Sequence, residues 1–324
     1  MTLNDHDFNE SLEVMQKLLW GSLEDRSKLQ DLGLNLIPAN FYSNIPSISE
    51  TLDSFEYSQV FPYLDSKFFD QNLLREEISS LQLFGNTWAP DEFGDPETCT
   101  SYFARNGQFE NTDAIAYYAF LKKLKPKTVV EIGSGFSSLI ALQALRENGF
   151  GQLICIDPFP RPFIKQLAES GNLELLQKRV QDVTISTIDA LLEDGDFLFI
   201  DSTHTVKTGS DCLHIYLRLI PQITSNIIVH AHDIFLPDGM PQRWIIDLQI
   251  YWTEQYLLLA LLIDNPRTTV LFPTHYNTLA NSDLLAKCLP ASPTGVLRGG
   301  SFWFSYNGGQ KSANSHLASN IQIA

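Results

Sequence analysis

The spacing of apolar and polar residues changes character near residue 105. Before it, Phe8–Leu23 and Gln71–Leu83 repeat apolar residues at helical spacing, separated by a proline- and aromatic-rich stretch from Ile37-Pro38 to Phe61-Pro62. After it, Ala114–Leu124 predicts a helix stopped by Pro126. From Lys127 onward, short apolar runs alternate with helical ones. The runs Thr128–Ile132, Leu153–Ile156, Leu173–Val180, Phe197–Ile200, Ile227–Val229, Val270–Phe272 and Ser301–Phe304 predict seven strands. Between them, Ser137–Asn148, Ile185–Leu192, Cys212–Leu219 and Trp252–Ile263 predict helices. This alternation specifies an α/β fold with a doubly wound, mostly parallel seven-stranded sheet. The expected organisation is a helical N-terminal cap over 1–105, the sheet domain over 106–308, and a polar, frayed tail over 309–324.

The first strand ends in Gly133-Ser134-Gly135 and leads into a helix. That geometry brings backbone N–H groups and a helix N-terminus close to a nucleotide-like ligand. A side chain at Gly135 is expected to collide with such a ligand or to force an unfavourable backbone. The second strand ends at Asp157, whose carboxylate can accept hydrogen bonds from both hydroxyls of a ribose. A dinucleotide-binding unit is the alternative, but Gly133-x-Gly135-x-x-Ser138 lacks the third glycine such units use for close helix–strand packing.

In an open parallel sheet, ligands bind at the carboxyl ends of the strands. Here those ends carry Glu131, Asp157, Asp201 and the run His230-Ala231-His232-Asp233. Asp182, after the third strand, stands where it would meet an adenine amino group, or equally caps the next helix. Asp201, His232 and Asp233 are a ligand set able to hold a divalent cation. His204, three residues past Asp201, would stand beside them as a general base. The plain alternative is hydrogen-bonded strand ends without metal.

Glu131-Ile132-Gly133-Ser134-Gly135 together with Asp157 resembles the first motif and ribose-binding acid of the class I methyltransferases that use S-adenosylmethionine (SAM). The resemblance implies their Rossmann-like fold and SAM as cofactor, contacted by Glu131, Gly133, Ser134, Gly135, Ser138, Asp157 and Asp182. The Asp201-x-x-His204 pair and His232-Asp233 are similar to motifs of sugar and natural-product O-methyltransferases, with imidazole replacing one carboxylate of an acidic pair. That likeness implies His204 and Asp201 as catalytic residues, and methyl transfer to a hydroxyl of a small-molecule acceptor. Further blocks resemble one bacterial methyltransferase family: Asn106-Gly107-Gln108-Phe109, Ile200–Asp211, His232–Pro237 and Tyr251-Trp252-x-Glu254-Gln255-Tyr256. In the first of these Asn106 is a turn residue first and a SAM contact second. Transfer to nitrogen or carbon, another reaction on the same fold, and a non-catalytic SAM-binding partner protein are the competing readings.

Composition narrows the partners. The 324 residues carry a formal net charge of −16, which leaves no basic footprint for nucleic acid. The apolar run Tyr256–Ile263 is too short to span a bilayer, and the polar, acidic start (MTLNDHDFNE) does not read as a secretory signal. Four scattered cysteines without a CxxC pair fit reduced thiols and a cytoplasmic protein. A homodimer is compatible with all of this.

Overall fold

A computed structural model of the chain describes residues 5–59, 61, 64, 67–290 and 294–309. From residue 310 on, the expected tail lies outside the described residues, as does Pro62 at the end of the proline- and aromatic-rich stretch. Among the described residues no helix is long and apolar enough to cross a membrane.

Seven strands form one sheet: β1 Thr128–Ile132, β2 Gln152–Ile156, β3 Glu174–Leu176, β4 Phe197–Ile200, β5 Ile227–Ala231, β6 Thr268–Pro273 and β7 Phe302–Tyr306. Their order is β3-β2-β1-β4-β5-β7-β6, and β7 alone runs opposite to the other six. This is the Rossmann-like, doubly wound, mostly parallel arrangement that the alternation of strands and helices predicts. Strand order reverses between β1 and β4, so the first crevice opens there, between the ends of the two strands.

Both faces of the sheet are covered, which explains the nearly unbroken apolar runs of the strands. Val129, Phe197 and Phe199 join the helices Asn111–Leu124 and Phe136–Asn148 in one core. Val130, Ile132, Leu198 and Ile200 face Tyr216, Leu219 and the helix Glu254–Leu262 in the other.

The chain divides into two compact units, residues 1–55 with 242–251, and residues 56–241 with 252–324. The first contains the helices Asp5–Leu19, Leu23–Asp31, Ile48–Leu52 and Gln242–Ile246. Two of these start with capping boxes, Ser22 with Asp25 and Ser47 with Glu50. Residues 56–105, which the apolar pattern groups with the N-terminal helices, belong to the same unit as the sheet.

Two elements of the sheet domain depart most from expectation. The third strand, expected over Leu173–Val180, is only three residues long, because exposed Gln177, Lys178 and Arg179 end it before a 3-10 turn at Val180–Asp182. The helix expected over Cys212–Leu219 is a single α turn, Asp211–His214, followed by a π-helical segment, Ile215–Leu219.

Candidate active site

The glycine turn after β1 is built for close approach, but at Gly133 rather than Gly135. Gly133 has a φ of +90°, and a Cβ there would lie 2.3 Å from the Asp201 carbonyl oxygen. Gly135, by contrast, is extended at a φ of 175°, and a Cβ there meets nothing within 4 Å. The expectation of backbone strain at Gly135 is therefore corrected: its freedom matters only toward a ligand.

Glu131 does not reach the cleft. It is fully buried, accepts hydrogen bonds from the Tyr117 hydroxyl at 2.9 Å and from Ser138, and lies 3.7 Å from the Cys155 thiol. Ser138 in turn accepts from the Gly135 N–H at 3.1 Å. Glu131 and Ser138 thus act as an internal brace that sets the turn, and the direct contact expected of each is corrected to an indirect one. Burial pushes the Glu131 carboxyl up to about 7, partly offset by its hydrogen bonds from Ser138 and Tyr117. The folded protein then binds this proton more tightly than the unfolded chain does. Stability from this group is fully present below about pH 4.5 and is lost as pH rises through about 7. The loss is on the order of 3 kcal/mol, because each tenfold change in proton affinity is worth about 1.4 kcal/mol. Glu131→Gln should flatten that part of the stability profile, read as urea midpoints across this pH range. An unchanged slope in the variant overturns the assignment.

A cleft of about 490 Å³ opens beside the turn, with Gly133, Ser134, Asp157, Arg179, Asp201 and Lys207 in its wall. Half-buried Asp157 is oriented from both sides, accepting from the Ser134 hydroxyl at 2.6 Å and the Phe159 N–H at 2.8 Å. Two expected contacts are absent from this wall. The Asp182 carboxylate is held by a two-point ion pair with Arg179, both contacts at 2.8 Å, and the helix cap proposed as its alternative is made by Thr184. Asn106 spends its amide on its own turn, donating to the carbonyls of Phe103 and Phe109 and accepting from the N–H groups of Gln108 and Phe109.

The rim beyond the cleft brings together the residues expected from the ends of β4 and β5. Asp201 belongs to both, since it lines the cleft and its Oδ1 lies 3.1 Å from Nε2 of His204. His204 Nε2 is also 3.6 Å from Asp233. The opposite ring nitrogen, Nδ1, lies 2.7 Å from Glu254. His204 and Asp233 are both left-handed, at φ +56° and +57°, a costly conformation for residues other than glycine. Burial lowers the His204 pKa, but the Asp201 and Glu254 carboxylates outweigh it and raise it to about 10. Burial likewise pushes Asp201 up, yet the His204 and His232 imidazoles facing it hold it well below the usual carboxylate range.

His232 closes the group. Its Nδ1 is 3.7 Å from Asp201 and 3.5 Å from Asp233, and its Nε2 is 3.4 Å from Asp113. That buried Nδ1 has no hydrogen-bond partner, so a polar atom aimed at two carboxylates is left unsatisfied. Among the described residues, Asp201, His204 and Asp233 bring donor atoms within 4.8 Å of one another, close enough to share one metal ion. This group has His204 where the cation set expected from sequence has His232, whose Nδ1 stands 3.7 and 3.5 Å from the same two carboxylates. His230, on the same strand, is a core residue stacked on Trp303 at 4.0 Å, and burial holds its pKa well below the usual value.

Two site residues escaped the sequence reading. Asp113 accepts from the N–H groups of Gly300 and Ser301 at 2.8 and 2.9 Å and faces His232 from behind. Glu254 does the same for His204. Its signal was available: it is the lone acid of the otherwise apolar helix EQYLLLALL.

A family model described as a methyltransferase domain matches residues 130–234. An uncharacterised protein of Archaeoglobus fulgidus is 35% identical over 200 residues, 58% of this chain and 86% of that one. Among solved structures, a Podospora anserina methyltransferase bound to S-adenosylhomocysteine (SAH) is 16% identical, with a TM-score of 0.38 over 77% of this chain and 99% of that one. A Bacillus cereus O-methyltransferase in complex with SAH is 15% identical, with a TM-score of 0.36 over 81% of this chain and 100% of that one.

Proposed function

Because the chain belongs to the class I SAM-dependent methyltransferases, we propose that it transfers the methyl group of SAM to a hydroxyl oxygen of a small molecule, with His204 as general base. The observation that carries this reading is that Asp201 lines the cleft beside the glycine turn and also lies 3.1 Å from His204 Nε2. One residue thereby links the methyl donor's place to a proton acceptor.

SAM supplies a methyl group activated on a positively charged sulfonium. The chain's own residues then have to hold two reactants in line, which is where most of the rate gain in such a displacement arises. Asp157 takes the ribose hydroxyls, and the turn at Ser134 and Gly135 leaves room for the rest of the cofactor. The two carboxylates that face His204 raise its affinity for a proton. A positively charged group bound beside Asp201 would lower that affinity, and Nε2 is the atom that would accept the proton of the acceptor hydroxyl. The unsatisfied His232 Nδ1 and the paired carboxylates also fit a divalent cation. Asp201, Asp233 and His232 would hold it, and it would acidify and orient the acceptor hydroxyl.

SAH release measured across hydroxyl- and amine-bearing acceptors tests the reaction class. Methylation confined to nitrogen, or SAM binding with no SAH release from any acceptor, overturns it. The cofactor half has a separate test. Asp157→Ala removes a charge-assisted pair of hydrogen bonds and should cost about 2–3 kcal/mol of SAM affinity by calorimetry. Wild-type affinity in that variant removes Asp157 from the ribose site.

A further inference from the structure

We propose that Glu254 is a positioning residue that fixes which nitrogen of His204 faces the reaction. The inference rests on the reading of His204 as base and extends it to a residue outside both rim motifs.

Glu254 is 1% exposed, at the first turn of an apolar helix, where a carboxylate survives only if its oxygens are bonded. Both are. Oε1 accepts from the Tyr216 hydroxyl at 2.7 Å, and Oε2 accepts from the Ser202 hydroxyl at 2.8 Å while facing His204 Nδ1 at 2.7 Å. The two hydroxyls already donate to it, and an ionised carboxylate has no proton to offer. The hydrogen on the third contact must therefore sit on Nδ1. That leaves Nε2, the nitrogen beside Asp201 and Asp233, as the one able to give up or take a proton.

The backbone is held by the same hub. The N–H groups of Thr253 and Glu254 donate to the His204 carbonyl at 2.8 and 3.1 Å, and the His204 N–H donates to Ser202 Oγ at 3.0 Å. Trp252 lies against the ring at 4.2 Å. Together these contacts stabilise the left-handed backbone of His204 and leave the ring one orientation.

Glu254→Gln separates positioning from packing, because glutamine fills the same space. With its carbonyl accepting from Tyr216, its amide nitrogen faces Nδ1 and donates to it, which moves the ring hydrogen to Nε2. Nitrogen NMR of the full chain labelled with ¹⁵N-histidine reads this directly, with His204→Ala assigning the signal. In the wild type, Nδ1 should bear a hydrogen-bonded, downfield proton. A neutral wild-type ring protonated at Nε2 overturns the proposal without any variant having to fold. In Glu254→Gln, the neutral ring should carry its proton on Nε2, and retention on Nδ1 overturns the proposal.

Kinetics with an acceptor that releases SAH give the second arm. Glu254→Gln should lower kcat about 10²–10⁴-fold with KM and SAM affinity close to wild type, as expected for a wrong tautomer. Glu254→Asp, which keeps the charge, should recover part of the loss. If His204→Ala is inactive while Glu254→Gln is fully active, Glu254 has no positioning role and the base reading stands. Full turnover in His204→Ala overturns the base reading itself, and with it any catalytic meaning of Glu254.

Discussion

His204→Ala is expected to lower turnover about 10²–10⁴-fold while SAM affinity stays close to wild type. The size follows from removing a positioned proton acceptor, and the split follows from the geometry. His204 meets Asp201 and Asp233 on the rim, whereas Ser134, Asp157 and Arg179 wall the cleft beside the glycine turn. Turnover and isothermal calorimetry on one preparation test both halves. A parallel series with a chelator separates the base from the cation. Chelator-resistant wild-type activity with an inactive His204→Ala keeps the base and discards the cation, whereas activity lost to the chelator and restored by a divalent metal keeps the cation. Unchanged turnover in His204→Ala removes it from the mechanism and leaves Asp201 as the remaining candidate.

The second large effect concerns Gly133. Its φ of +90° and the 2.3 Å approach of a hypothetical Cβ to the Asp201 carbonyl mean that even alanine cannot be accommodated in place. The conformational strain alone costs of order 1–3 kcal/mol. The collision adds to it, because the neighbour is backbone at the end of β4 and cannot swing away as a side chain would. Gly133→Ala should therefore lose measurable SAM binding and unfold at clearly lower urea than the wild type. Gly135→Ala is the control, extended and with open space around its Cβ, and should keep wild-type stability. Equal stability in the two variants, with SAM still binding to Gly133→Ala, would mean that the turn between β1 and its helix is not the close contact described.

The sheet was legible because its strands are buried on both faces and so appear as runs of apolar residues. β4 matches its predicted bounds, Phe197–Ile200. β3 was overextended because Leu173–Val180 continues the apolar signal at both ends, whereas three exposed polar residues interrupt it in between. At the site, Asp157, Asp201, His204, His232 and Asp233 were legible because each follows a strand end, where a parallel sheet gathers its polar groups. What spacing could not convey is direction. Glu131 also sits near a strand end, but it points into the core toward Tyr117 and leaves the cleft to its neighbours. Asp113 and Glu254 were missed for the converse reason. They lie on helices far along the chain from the motifs they support, and only the fold brings Asp113 behind His232 and Glu254 behind His204.

That last arrangement bears on how portable this chemistry is. The rim loops after β4 and β5 carry the groups that would meet an acceptor, but their histidines are backed by acids rooted in the helices Asn111–Leu124 and Glu254–Leu262. A loop grafted onto another doubly wound sheet would arrive with its imidazoles and without the carboxylates that aim them. Transplanting the activity therefore means carrying over two distant helical turns along with the loops.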